Sequence, residues 1–153
     1  IERQPRFAEA YLQRGAVYGI LNNYSAARTD FETAADLDPD HADAFVKLAN
    51  AEYQLQRYED AIAAYTQALA LAGDNPEWLL YRGNCYVYTR HYQKAVQDFS
   101  TALELQPQNA VLHYKRGMLR VGPMNDPGGC TDLQQAGQLG HTSAAAMLEK
   151  YCQ

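Results

Sequence analysis

Residues 76–109 read PEWLLYRGNCYVYTRHYQKAVQDFSTALELQPQN. Apolar side chains recur in it at helical spacing, once over 76–89 and again over 92–105. Pro76 opens the first stretch and Pro107 follows the second, where a residue without an N–H ends one helix and introduces the next. The segment therefore predicts two helices joined by a tight turn. Sliding the chain by 34 residues in either direction finds the same pattern again. Gly15, Ala49, Gly83 and Gly117 fall into one column, as do Tyr24, Tyr58 and Tyr92, and Ala27, Ala61 and Ala95. Further columns hold Phe31, Tyr65 and Phe99, then Ala34, Ala68, Ala102 and Ala136, then Leu37, Leu71, Leu105 and Leu139. A period of this length marks stacked helical hairpins, in which small residues sit where two helices approach closely.

These small, aromatic, Ala and Pro positions, in this order, resemble the tetratricopeptide repeat over nearly the whole chain. The resemblance implies an all-α fold, a right-handed α-solenoid of four helix-turn-helix repeats plus a C-terminal capping helix. It implies one domain over 1–153, with repeats at 8–41, 42–75 and 76–109, a divergent repeat at 110–141 and the cap at 142–153. First helices are predicted near 8–21, 42–55, 76–89 and 110–121, second helices near 24–37, 58–71, 92–105 and 128–138, and a last helix near 142–152. Residues 1–7 carry Pro5, one period before Pro39, and read as the tail of a preceding second helix or a linker. In the second repeat Gly73 replaces the closing Pro, so Leu71–Asn75 is the expected loose joint. The fourth repeat departs most: Asp126, Gly129 and Leu133 replace Tyr, Ala and Phe, and 122–129 reads as a turn. Gly129-Cys130-Thr131-Asp132 and the Ala-rich stretch after it are similar to the terminal segments of some bacterial repeat proteins.

With 153 residues, 47% of them hydrophobic, the chain can bury a core as one domain. Thirteen Lys and Arg against eighteen Asp and Glu give a net charge of −5, the wrong sign for neutralising phosphates, so nucleic acid is not an expected partner. No apolar run approaches the roughly 20 residues that cross a bilayer, so no membrane insertion is expected of this segment. Ile1 rather than Met at the start is read as a trimmed or processed end, with further repeats upstream.

Two columns carry charge together. The residue before each small position reads Arg14, Leu48, Arg82, Arg116, and the residue sixteen further on reads Asp30, Ala64, Asp98, Asp132. In a helical hairpin that offset places the two on facing helices. Joint loss at Leu48 and Ala64 is what an internal brace predicts, so Arg14–Asp30, Arg82–Asp98 and Arg116–Asp132 are expected as structural ion pairs rather than anion ligands.

In the family the resemblance points to, first helices line a concave surface. That places Lys47, Asn50, Gln54, Tyr81, Asn84, Tyr88, Lys115 and Met118 in a peptide-binding groove. Amides at Asn50 and Asn84 could both donate and accept along a peptide backbone, lysines could hold a carboxylate, and the tyrosines offer contact area at low entropic cost. The alternative is that both asparagines only satisfy neighbouring helices. Some members grip a chaperone C-terminus through a two-carboxylate clamp, but Tyr81 and Val111 stand where that clamp wants polar or basic groups, so that ligand is not predicted.

Cys85 shares a column with Val17, Ala51 and Leu119 and reads as a buried small side chain. Cys130 and Cys152 lie eleven residues either side of His141, near the turn between two antiparallel helices. Two outcomes stay open: a disulfide, which implies an exported or periplasmic protein, or two reduced thiols in a cytoplasmic one. His41, His91, His113 and His141 sit on different units without helical ligand spacing, and no paired C-x-x-C occurs, so no metal or other cofactor is expected. No serine has a G-x-S-x-G context, and Gly128-Gly129 is too short to cradle phosphate. The sequence thus predicts a non-catalytic protein–protein interaction scaffold that holds a peptide or helix of a partner. The alternative is a structural, self-associating spacer of a larger multi-repeat protein.

Overall fold

The computed structural model describes residues 5–152. Nine helices run through them: α1 (Pro5–Ile20), α2 (Tyr24–Leu37), α3 (Ala42–Gln54), α4 (Tyr58–Ala72), α5 (Pro76–Tyr88), α6 (Tyr92–Leu105), α7 (Ala110–Val121), α8 (Gly129–Gln138) and α9 (Ala144–Tyr151). The fold is all-α. Consecutive helices pair as hairpins, α1 with α2, α3 with α4, α5 with α6 and α7 with α8. The chain divides into two compact units, Ile1–Gly73 and Asp74–Gln153. Within the first, α2 also packs on α3; within the second, α6 packs on α7 and α8 on α9.

The recurring columns have a packing cause. Ala27, Ala61 and Ala95 are fully buried, as are Ala34, Ala68, Ala102 and Ala136. Small side chains there let the two helices of a hairpin close until the aromatic column fills the gap. A Cβ on Gly15 would lie 2.6 Å from the ring of Phe31, and one on Gly83 would lie 2.5 Å from that of Phe99. The first helix thus rests its backbone on the aromatic face of the second. In the fourth repeat Leu133, fully buried, takes the ring's place, and Gly129 replaces Ala because a Cβ there would meet the Gly117 carbonyl at 2.6 Å.

Turns inside the hairpins are also in register. Asn22, Gln56 and Arg90 take positive φ values of 56°, 59° and 61°, and each precedes a residue whose N–H reaches back over the helix end: Asn23 to Tyr18 O at 2.8 Å, Arg57 to Glu52 O at 2.9 Å and His91 to Tyr86 O at 2.8 Å. This is the left-handed helix stop that satisfies orphan carbonyls, made here without glycine. In the fourth repeat the positive φ moves to Asn125, one place out of register, and α8 begins at Gly129 after the longer turn. Asparagines start several helices. Asn23 accepts from Ala26 N, Asn75 from Glu77 N and Trp78 N, and Asn109 from Val111 N and Leu112 N.

One boundary differs from the sequence reading. Pro5, Arg6 and Phe7 are the first turn of α1, not the end of an earlier helix. Proline at a first helical position has no intrahelical bond to lose, and its φ suits the helix. Residues 1–4, also read as part of that tail, lie outside the described residues. The chain passes from the first unit to the second where the Pro column is broken: Gly73 adopts φ 83° and ψ −175°, a backbone region open essentially only to glycine.

Candidate functional site

Three of the four hairpins are closed by an Arg–Asp pair whose carboxylate is buried. In the first, Arg14 Nε and Nη2 donate to both carboxylate oxygens of Asp30 at 2.8 and 2.7 Å. In the third, Arg82 does the same to Asp98 at the same two distances. Arg116 holds Asp132 at 2.9 and 2.6 Å, and its Nη1 adds a bond to Ser100 Oγ on α6 at 3.0 Å. The three aspartates are almost completely buried. Hydrogen bonding to Asp30 and Asp98, before any other influence, raises the pKa of Arg14 and Arg82 above the ordinary arginine value. The structure therefore brings together all six residues of the two charged columns.

The second hairpin has Leu48 and a buried Ala64 at these places, and the charge has moved rather than vanished. Glu52, one helical turn beyond Leu48, is 3% exposed. Arg28 of α2 donates to it from Nε at 2.8 Å, and Arg57 lies 3.3 Å away on its other oxygen. The brace now joins α2 to α3 instead of closing one hairpin. Column reading misses it because Glu52 aligns with Tyr18, Tyr86 and Arg120, and Arg28 with Ile62, Val96 and Cys130. Only the oddity of a carboxylate in a column otherwise made of Tyr and Arg signals it. Arg120, in the same column, fixes the long turn of the fourth repeat. Its Nε donates to Asp126 Oδ2 at 2.7 Å, while Asp126 Oδ1 accepts from Gly128 N at 2.9 Å. The Arg120 bond, followed by that of Gly128, holds the Asp126 carboxyl below the usual carboxylate range.

The expected groove residues fall in both units. On α3 of the first, Asn50 and Gln54 are exposed and Lys47 is half-buried, 3.5 Å from Asp43 one turn earlier. Asn50 is not independent of the core: the hydroxyl of the fully buried Tyr65 donates to its Oδ1. One period on, Asn84 and Phe99 stand in the columns of Asn50 and Tyr65, and Phe99 has no hydroxyl to offer.

On α5 and α7 of the second unit, Tyr81 and Tyr88 are 36% and 57% exposed, and Asn84, Lys115 and Met118 are partly buried. Burial pushes the Lys115 ammonium below its ordinary pKa, and no acidic group among the described residues counters it.

Other side chains from the sequence reading are structural. Cys85 is fully buried and lies outside the disulfide, which joins Cys130 and Cys152 with their Cα atoms 5.8 Å apart. His113 lies with Nε2 2.8 Å from Pro107 O and Nδ1 3.5 Å from Asp132, and His141 stacks on Tyr114 at 3.9 Å between centroids. Among the described residues no group of three His, Cys, Asp or Glu side chains could hold a metal ion, and no helix is long and apolar enough to cross a membrane.

A chain of helical hairpins in which small residues face aromatic ones defines a helical-repeat protein. The tetratricopeptide repeat profile matches residues 12–76 and 46–110, and the chain belongs to that family. The small glutamine-rich tetratricopeptide repeat-containing protein 2 of Saccharomyces cerevisiae is 34% identical over 71 residues, which are 46% of this chain and 20% of that protein. The chain spans at most about a third of the length of its curated relatives. Among solved structures, a tetratricopeptide repeat protein from Parabacteroides merdae superposes with a TM-score of 0.86 at 19% identity, covering 96% of this chain and 60% of its own. YrrB, described as a tetratricopeptide repeat protein with an unusual peptide-binding site, superposes with a TM-score of 0.77 at 18% identity, covering 88% and 70%.

Proposed function

We propose that this protein is a non-catalytic scaffold that holds an extended peptide or a helix of a partner protein against its first helices. The observations that carry the reading are the exposure of Tyr81 and Tyr88 on α5, beside the partly buried Asn84, and on α7 the half-buried Lys115, which has no ion-pair partner among the described residues. Aromatic area supplies affinity, the amide reads a backbone peptide group and the ammonium takes a carboxylate or carbonyl. Lys47, Asn50 and Gln54 form a second, more polar patch on α3. Family membership supports the class of function, and the peptide-binding site named for YrrB supports the kind of ligand. Micromolar affinity, on the order of 8 kcal/mol, is ample for a surface of this composition.

The test uses Asn84→Ala and Lys115→Ala rather than a change at Asn50, because removing Asn50 withdraws the acceptor of the buried Tyr65 hydroxyl. Partners captured by the intact chain are identified, and their binding to wild type and to the double variant is measured by calorimetry. Affinity should fall at least tenfold while the melting temperature stays within about 2 °C. Equal affinity in the two proteins rules out this patch as the binding surface.

A further inference from the structure

The turn that joins α5 to α6 carries a basic cluster without a counter-charge among the described residues. Arg90, His91 and Lys94 are all exposed there, and none of the three has an acidic partner. They line an open cleft of about 490 Å³, to which the long turn between α7 and α8 adds Pro123 and Met124. That turn's own acid, Asp126, is already held by Arg120 and by the N–H of Gly128. Tyr86 positions two of the basic groups: the Lys94 ammonium lies 5.5 Å from its ring centroid, and the His91 ring stands edge-on to it at 6.2 Å. Lys94 falls in the first turn of α6 with Arg90 just ahead of it. Helix dipoles disfavour cations at that end, so the arrangement costs the helix stability rather than adding to it.

The second repeat builds the same turn with the opposite charge. One period back, Gln56, Asp60 and Glu52 stand in the columns of Arg90, Lys94 and Tyr86, and Glu59 in that of Gln93. Arg57, in the column of His91, is satisfied internally: its Nη2 lies 2.8 Å from Asp60 Oδ2 and its Nε 3.3 Å from Glu52 Oε2. The third repeat has lost both of those carboxylates and gained two cations. We propose that the cleft takes the missing carboxylates from outside, as two acidic side chains of a partner peptide. Arg90 holds one through parallel N–H bonds, Lys94 takes the other as a point charge, and Pro123 and Met124 give the peptide chain apolar contact. A cleft of this size admits a few side chains. The site shares no residue with the groove positions on α5 and α7, and it does not depend on them.

The probe is a fluorescent octapeptide of glycine and alanine with two glutamates two places apart, titrated by anisotropy against the chain Ile1–Gln153. The expected result is binding at least tenfold tighter than that of the same peptide with two glutamines. Arg90→Gln together with Lys94→Gln should remove the difference, and so should Lys94→Asp alone, which restores the acid of the second repeat. Both positions are exposed, so the melting temperature should stay within about 2 °C. Asn84→Ala with Lys115→Ala should leave binding of the probe unchanged, which separates this site from the groove. Equal affinity for the glutamate and glutamine peptides overturns the proposal, as does a preference that survives Arg90→Gln with Lys94→Gln. A peptide with one phosphoserine in place of both glutamates that binds at least tenfold tighter than the glutamate peptide assigns the cleft to a phosphate and also overturns it. So does a chain that sediments as a dimer and is returned to monomer by the same double change, since the occupant is then a second copy.

Discussion

The buried carboxylate of Asp98 and its partner Arg82 show how a repeat protein carries its own control experiment. The acid is almost fully buried and the arginine mostly so, and removing only the acid deprives a largely desolvated guanidinium of its bidentate partner, a change that costs roughly 3–5 kcal/mol at buried pairs. The second repeat builds the same hairpin with Leu48 and Ala64 in place of this pair. Asp98→Ala alone should therefore lower the denaturant midpoint strongly. The double change Arg82→Leu with Asp98→Ala should recover most of the loss. A double variant as unstable as the single one, in urea unfolding, would mean that the pair does more than brace the hairpin. Residue-level reading of the sequence found this pair because two columns lose their charge together. It could not find Arg28–Glu52, because a contact that occurs in one repeat only has no period to reveal it. Nor could it find the bond from Tyr65 to Asn50, which depends on one hydroxyl in a column otherwise filled by Phe and Leu.

At the scale of elements, period and punctuation located all nine helices to within a few residues, since small, aromatic and Pro positions each have a direct steric role. The start of α1 was misread for a physical reason: proline is as well suited to a first helical turn as to the turn before one. The joint at Gly73 was legible as a break in the Pro column, though the unusual backbone angles that require glycine there were not. The last helix is where local stability is most concentrated in a single bond. α9 has only eight residues, contributes Ala144 to the core and touches little beyond α8. Short helices of this length are not stable alone, so the Cys130–Cys152 link, closing a separation of 22 residues, should hold it in place with about 3 kcal/mol. Cys152→Ser, or reduction, should free the α9 amides to exchange while α5–α7 stay protected. Thiol titration of the oxidised protein in denaturant should give one reactive group, Cys85. Three reactive groups, or unchanged α9 exchange on reduction, would show that the bond does not hold the cap.

For the whole molecule, stability in an array of hairpins is close to a sum of hairpin and neighbour-interface contributions, and that makes the two units comparable. Ile1–Gly73 has helix interfaces α1–α2, α2–α3 and α3–α4. Asp74–Gln153 has α5–α6, α6–α7, α7–α8 and α8–α9, together with the disulfide. Its first helix is also started from within, by Asn75 accepting two backbone N–H groups and by Pro76 at the first helical position. The second unit further contains two Arg–Asp braces against one in the first, whose other buried acid, Glu52, depends on two separate arginines. Expressed separately, Asp74–Gln153 should fold cooperatively and melt above Ile1–Gly73, by 5–10 °C on the scale of about 4–8 °C per kcal/mol for domains of this size. Reducing its disulfide should remove part of that margin without reversing the order. Thermal melts followed by circular dichroism decide the matter: an Ile1–Gly73 fragment that outlasts its oxidised counterpart would show that stability is set by something other than the count of interfaces and braces.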